Sequence, residues 1–333
     1  MRFGPVPLAE AGGAILAHSL ELPDGTRLRK GLRLGAAELE RLGWFGLPEV
    51  TVARLDPGDV HEDAAAEALA LALLGEGGGL RPGAPGTGRV NLFATAPGLA
   101  LIDAEKINAV NAVHPMISVA TVPEYQRMAL RGMVATVKII SYAVPGTALQ
   151  AACAVGRGAL GLRGVQRRRA VLVQSFTGEV PEEAGPRAVA QRLERLGAAL
   201  VAESNVPHEE AALAAALLAA REAARAEVIL VLTGSATSDP EDVAPAALRR
   251  AGGQVTRFGM PVDPGNLLFF GDLSGVPVVG LPGCARSPAL NGADWVLERI
   301  LCGVAVTGAD VAAMGVGGLL KDIPTRPQPR DPK

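Results

Sequence analysis

From residue 170 onward, short apolar runs alternate with longer stretches whose apolar positions recur every three or four residues. AVLVQS at 170–175, residues 198–202, VILVL at 228–232, residues 254–258, LLFFG at 267–271 and residues 276–281 have the length and β-branched or aromatic content of strands. VILVL has no polar break, the pattern of a strand covered on both faces in a parallel sheet. Residues 187–196, 209–224 and 289–301 have helical spacing, and another helix start follows residue 242. Strands alternating with helices predict an α/β fold over residues 168–310, a three-layer α/β/α sandwich with a mostly parallel sheet.

Residues 1–160 predict an irregular α+β region. Helical spacing occurs at 9–21, 36–42, 62–74 and 104–113, and strand patterns at 49–55, 90–94 and 134–143, while residues 27–34 alternate basic and apolar positions around Gly31. Seven glycines and two prolines among residues 75–88 predict a loop, long enough to suggest function or disorder. Isolated polar residues here, such as His18, Asn91, Asn108 and His114, read as satisfied structural hydrogen bonders. The Gly- and Arg-rich residues 156–169 read as a linker, and residues 311–333 as a Pro-rich tail carrying Arg326 and Arg330.

Ligands of open α/β sheets bind where loops leave the carboxyl ends of strands, and three loops qualify. The first, after AVLVQ, holds Ser175, Phe176, Thr177, Gly178 and Glu179. The second, after VILVL, is small and hydroxyl-rich: Thr233, Gly234, Ser235, Ala236, Thr237 and Ser238 could bring backbone N–H groups and hydroxyls close to an anion. The third, after VVGL, runs Pro282, Gly283, Cys284, Ala285, Arg286, Ser287, and its arginine suits a phosphate. Cys284 reads as a small packing residue, since no base neighbours it in sequence. Asp239, Glu241 and Asp242 close the second loop and fit two roles, helix caps suited to the helix dipole or ligands of a magnesium ion on a phosphate. The loop is neither a Walker A sequence nor a GxGxxG fingerprint.

Charge and cysteine content narrow the partners. Thirty-two basic against thirty-four acidic residues leave a net charge of −2, so no broad basic field draws nucleic acid or anionic lipid, and no apolar stretch suits a bilayer. Three widely spaced cysteines without a CxxC pair disfavour a disulfide framework or zinc site and fit a reducing cytoplasm. The first twenty residues lack a signal peptide's regions and read as mature protein.

The order of TGSATSDPEDVAP, GMPVDPGNLLFFG and GLPGCARSP resembles the molybdopterin-binding domain shared by molybdopterin adenylyltransferases and molybdenumtransferases, over roughly residues 170–305. AHSL, RLRKG and EVTVARL resemble, more weakly, the N-terminal region of molybdenumtransferases, and the whole pattern is similar to stand-alone or cytidylyltransferase-fused molybdopterin-binding proteins. The resemblance implies a pterin ligand, molybdopterin or its nucleotide form, with Mg²⁺ on Asp239, Glu241 and Asp242, and Asp242 and Asp239 as the catalytic acids. Gly234, Ser235, Thr237 and Ser238, with Thr177, Gly178 and Thr233, would cradle phosphate; Pro282, Gly283, Arg286 and Ser287 would close the other side. It implies adenylyl transfer or molybdenum insertion, or a non-catalytic carrier that hands the cofactor to a nucleotidyltransferase or molybdoenzyme, and a homo-oligomer. A phosphohydrolase of nucleotide-like substrates is a third reading. Three departures stand out: Pro264-Gly265-Asn266-Leu267 replaces a PGKP turn and its cation, His208 follows Pro207 where adenylyltransferases often carry Asp, and TGSAT replaces a doubled glycine.

Overall fold

Alternation along Arg169–Phe176 sends Val171 and Val173 to one face of a sheet and Ala170 and Leu172 to the other, and all four are buried. The computed structural model describes residues 1–178, 184–222, 225–263 and 265–320. Glu179, the end of the predicted 209–224 helix, Pro264 and the tail arginines Arg326 and Arg330 lie outside the described residues. Contacts divide the chain into two compact units, one of residues 1–96 and 100–162, the other of residues 97–99 and 163–333.

In the C-terminal unit, β1 (Arg169–Phe176), α1 (Ala184–Glu194), β2 (Ala199–Pro207), α2 (Glu210–Glu222), β3 (Val228–Leu232), α3 (Val243–Arg250), β4 (Gln254–Met260), β5 (Asn266–Leu273), β6 (Val276–Leu281), α4 (Gly292–Leu301) and α5 (Gly308–Ala313) follow in order. The six-stranded sheet has the order β2-β1-β3-β6-β5-β4. Its first four strands are parallel, and β5 and β4 complete it antiparallel. The fold is α/β, as the alternating pattern predicts. Leu213, Leu217, Ala247 and Leu248 of α2 and α3 pack on Val171, Val173, Ile229 and Val231. Each such buried Leu or Val contributes about 1.5–3 kcal/mol. α1 contacts β2, and α4 contacts β6.

The chain leaves β1 toward β2 on one side and returns through α2 to β3 on the other, so the strand order reverses between β1 and β3. A crevice opens at such a switch point.

The N-terminal unit holds a three-stranded sheet, with Glu49–Arg54 between Arg2–Pro7 and Ile15–Leu16, and a four-stranded sheet. Helices Glu62–Leu73, Ala104–Val113 and Gly146–Gly156 contribute Leu69, Leu73, Val110 and Ala152 to its larger core. Three expectations are corrected. Residues 9–21 hold no α-helix, because Gly13 takes a left-handed φ of 75° and turns the chain into short strands. The 75–88 stretch contains the strand Leu80–Pro82, paired with Arg89–Ala94. The predicted linker contains the strand Leu160–Gly164, with Leu160 and Leu162 buried. Helix α5 spans the boundary at which the tail is predicted to begin, and Val311 in it is buried. No described helix is long and apolar enough to cross a membrane.

Candidate functional site

The three predicted loops leave β1, β3 and β6, which are neighbours in the sheet and parallel, so their carboxyl ends lie side by side. A cavity of about 200 Å³ opens at the ends of β3 and β6, lined by Thr233, Ala236, Thr237, Pro282, Gly283 and Cys284, with Leu281 and, from the start of β5, Gly265 and Leu267. Thr233, Thr237, Pro282 and Gly283 of the predicted site thus face one space. Ala236, Gly265, Leu267 and Leu281 are added to them. Gly265 opens β5 in a left-handed φ of 98°, a position open to glycine at no steric cost.

The loops are tied to one another. Gly234 N–H donates to Ser175 Oγ at 3.2 Å, and Ser175 Oγ stands 2.8 Å from His208 Nδ1. A Cβ on Gly234 would lie 2.8 Å from Phe176 Cα and 2.9 Å from both Ser175 O and Thr177 N, so only glycine lets the second loop approach the first. Arg286 Nη2 donates to the Thr233 carbonyl at 2.8 Å, linking the third loop to the second. Ser175 is fully buried and serves as a strut. Thr177, Gly178, Ser235, Ser238 and Ser287 are exposed and do not line the cavity.

The acids at the end of the second loop have caps and turns to hold. Asp242 is the N-cap of α3, with Oδ1 accepting from Val243 N–H at 2.7 Å and Oδ2 from Ser238 N–H at 2.9 Å. Ser238 N–H beside Asp242 holds its carboxyl below the usual carboxylate range, and Val243 N–H and nearby His208 act in the same direction. Asp239 Oδ1 accepts from Glu241 N–H at 2.8 Å, and Glu241 reaches Arg249 at 3.3 Å on the surface. Among the described residues, no group of three or more His, Cys, Asp or Glu side chains could hold a metal ion.

Two features were not foreseen in the sequence. Cys284 is exposed on the cleft wall, where Asn291 Nδ2 lies 2.8 Å from its Sγ; the packing role is corrected, because the short helical turn Gly283–Arg286 points Ala285 inward instead. The other is Arg192 of α1, whose side chain is buried. Its Nη1 donates to Ala188 O and Ala285 O, and its Nη2 to Ser287 O and Ala289 O, at 2.6–3.1 Å. This guanidinium fixes the path of the third loop. The signal was available: Arg192 occupies the buried stripe of Val189, Leu193 and Leu196 at helical spacing.

Residues 169–301 match a family model described as "Probable molybdopterin binding domain". The C-terminal unit belongs to this molybdopterin-binding domain family, which serves molybdenum cofactor biosynthesis. Residues 5–54 match a domain of unknown function. No curated protein matches the chain. Among solved structures, a molybdopterin biosynthesis MoeA protein from Pyrococcus horikoshii is similar at 15% identity and a TM-score of 0.32, over 90% of this chain and 75% of that one. The molybdopterin biosynthesis enzyme MoaB from Thermus thermophilus is similar at 20% identity and a TM-score of 0.30, over 40% of this chain and 89% of that one. At such scores neither gives a residue correspondence. In the molybdopterin-binding domain of this chain, the cleft lies where the predicted loops after β3 and β6 meet the start of β5, and the loop after β1 contributes no lining residue.

Proposed function

We propose that the C-terminal unit binds molybdopterin, or its nucleotide form, in the cleft at the ends of β3 and β6, and that the chain acts as a binding and carrier protein. The observation that carries this is the meeting of the second and third loops on one cavity, with Thr233 and Thr237 hydroxyls on one wall and the Pro282-Gly283 backbone on the other. Their donors suit the phosphate end of the pterin: small side chains let a phosphate approach the backbone closely, and α3 begins just beyond. Arg286, half-buried and held on Thr233 O, adds a positive charge near the same wall. When bound, the pterin supplies the dithiolene sulfurs that take molybdenum.

Magnesium fits the residues poorly. Both oxygens of Asp242 already accept backbone N–H groups, Asp239 closes a turn, and Glu241 faces outward with Arg249. Transfer at the phosphate is a second reading, favoured by the ionised carboxylate that Asp242 keeps beside the cradle.

The test is anaerobic purification of the full chain from its host, with bound pterin read by the fluorescence of its oxidised form. Pterin should be recovered with the wild type and lost with Gly283→Asp. Gly283 is exposed with nothing within 4 Å of an added Cβ, so that variant keeps the fold while placing a carboxylate on the cleft wall. Absence of pterin from the wild type, or its retention by Gly283→Asp, removes the proposal. Turnover that disappears in Asp242→Ala while binding persists would favour the transferase.

A further inference from the structure

The N-terminal unit contains a larger cavity, about 590 Å³, lined by Arg2, Arg33, Arg54, His61, Glu10 and the backbone around Gly13. Arg2 and Arg54 are Cα partners across the antiparallel pair formed by Arg2–Pro7 and Glu49–Arg54. Directly opposed residues share one face of a sheet, and like charges there are destabilising. Both side chains nonetheless line the same cavity. Arg33 joins from the flank through its bridge to Ile15.

Each arginine is anchored by part of its guanidinium only. Arg2 donates Nε–H to Asp56 Oδ1 at 3.0 Å, Arg33 donates Nε–H to Gly13 O at 3.1 Å, and Arg54 donates from Nη2 to Glu10 O. A guanidinium has five donors in a planar fork, so anchoring through Nε leaves the Nη edges of Arg2 and Arg33 for a ligand. Among the described residues, those edges have no protein partner. His61 Nδ1 accepts from Asp63 N–H at 3.3 Å, which puts its ring hydrogen on Nε2 and makes it a further donor. Glu10 is the one acidic side chain on the wall, 3.8 Å from Arg54, against three arginines, so the lining carries a net +2 in a chain of net −2.

We infer that this cavity is a second ligand site, which takes a phosphate-bearing small molecule with its phosphate oxygens on the arginine forks. Planar bidentate donors match phosphate geometry, and the volume falls in the range of about 300–1,000 Å³ typical of small-molecule pockets. The site is independent of the pterin cleft, because all of its lining residues belong to the N-terminal unit.

Calorimetric titration of the full chain with inorganic pyrophosphate tests it, in a Gly283→Asp background that disables the C-terminal cleft. The expected result is saturable binding that weakens as salt is raised and falls about tenfold or more in Arg33→Ala, the loss of a charged hydrogen-bond partner. Arg33 is exposed, so the variant should keep the parent's thermal midpoint. Arg33→Lys, with charge but no fork, should fall between the two. The inference is overturned by no saturable binding, by binding that Arg33→Ala and Arg33→Lys leave unchanged, or by citrate binding more tightly than pyrophosphate.

Discussion

Arg192 Nε donates to Asp294 Oδ1 at 2.6 Å, and both side chains are 2% exposed. Asp294 Oδ2 in turn accepts from Asn291 N–H at 2.8 Å, closing the capping box at the start of α4. Arg192 holds three carbonyls of the third loop, so the pair couples α1, α4 and the cleft wall. Removing one partner leaves an uncompensated buried charge. Arg192→Ala should therefore cost about 3–5 kcal/mol in chemical denaturation. Arg192→Lys should not restore it, because an ammonium cannot reproduce five donors in a planar fork.

Gly234→Ala places a methyl group against the backbone of Phe176 and Thr177. Backbone cannot rotate away as a side chain can. Overpacking of this kind costs about 1–3 kcal/mol. The expected outcome is a lowered thermal midpoint together with loss of bound pterin, whereas Gly283→Asp should lose pterin at an unchanged midpoint.

Asp242 should stabilise the fold in a pH-dependent way. Its folded pKa is depressed, so its contribution is complete above the unfolded carboxylate value, about 3.9, and is lost as pH falls through the lower folded value. Asp242→Ala should cost about 0.5–2 kcal/mol at neutral pH, as for a lost N-cap. Urea titrations at successive pH values should show wild type and variant converging only well below that range. Because Asp242 caps α3, Asp239 closes a turn and Glu241 pairs with Arg249, adding magnesium should leave the apo protein's midpoint unchanged.

The cysteines should separate by reactivity. Cys284 is exposed and should react first with a thiol reagent, and bound pterin should slow it because it lines the cleft. Burial pushes the Cys302 thiol up to about 12, so it should react only on unfolding. Mass spectrometry of peptides alkylated with and without ligand distinguishes them.

The central strands of the C-terminal unit were legible because they are apolar over most of their length, as VILVL at 228–232 is, whereas β2, with Glu203, Ser204 and Asn205, runs beyond the 198–202 that its apolar start predicts. The loops on the shared edge were legible for the same reason: once β1, β3 and β6 are strands, their ends are placed. Much of the N-terminal unit was not. Strands of two or three residues such as Leu80–Pro82 fall below the length at which alternation can be seen, and a Gly- and Arg-rich run such as 160–164 carries no strand signature. Within the site, hydroxyl and glycine content pointed to Thr233, Thr237 and Gly283. Whether Asp242 caps or ligates depends on where its oxygens point, and whether Arg192 faces water or carbonyls depends on the segment 285–289, more than ninety residues away.

Gly234 leans on Ser175, Arg286 holds Thr233, and Arg192 holds the backbone from Ala285 to Ala289. The cleft is therefore preorganised: its walls are braced by the protein itself before a ligand arrives. Little ordering remains to be done on binding, so the entropic penalty of closing loops around a ligand is small. A pterin held this way can be received and surrendered without local refolding, and its residence time is set by its own contacts with the walls.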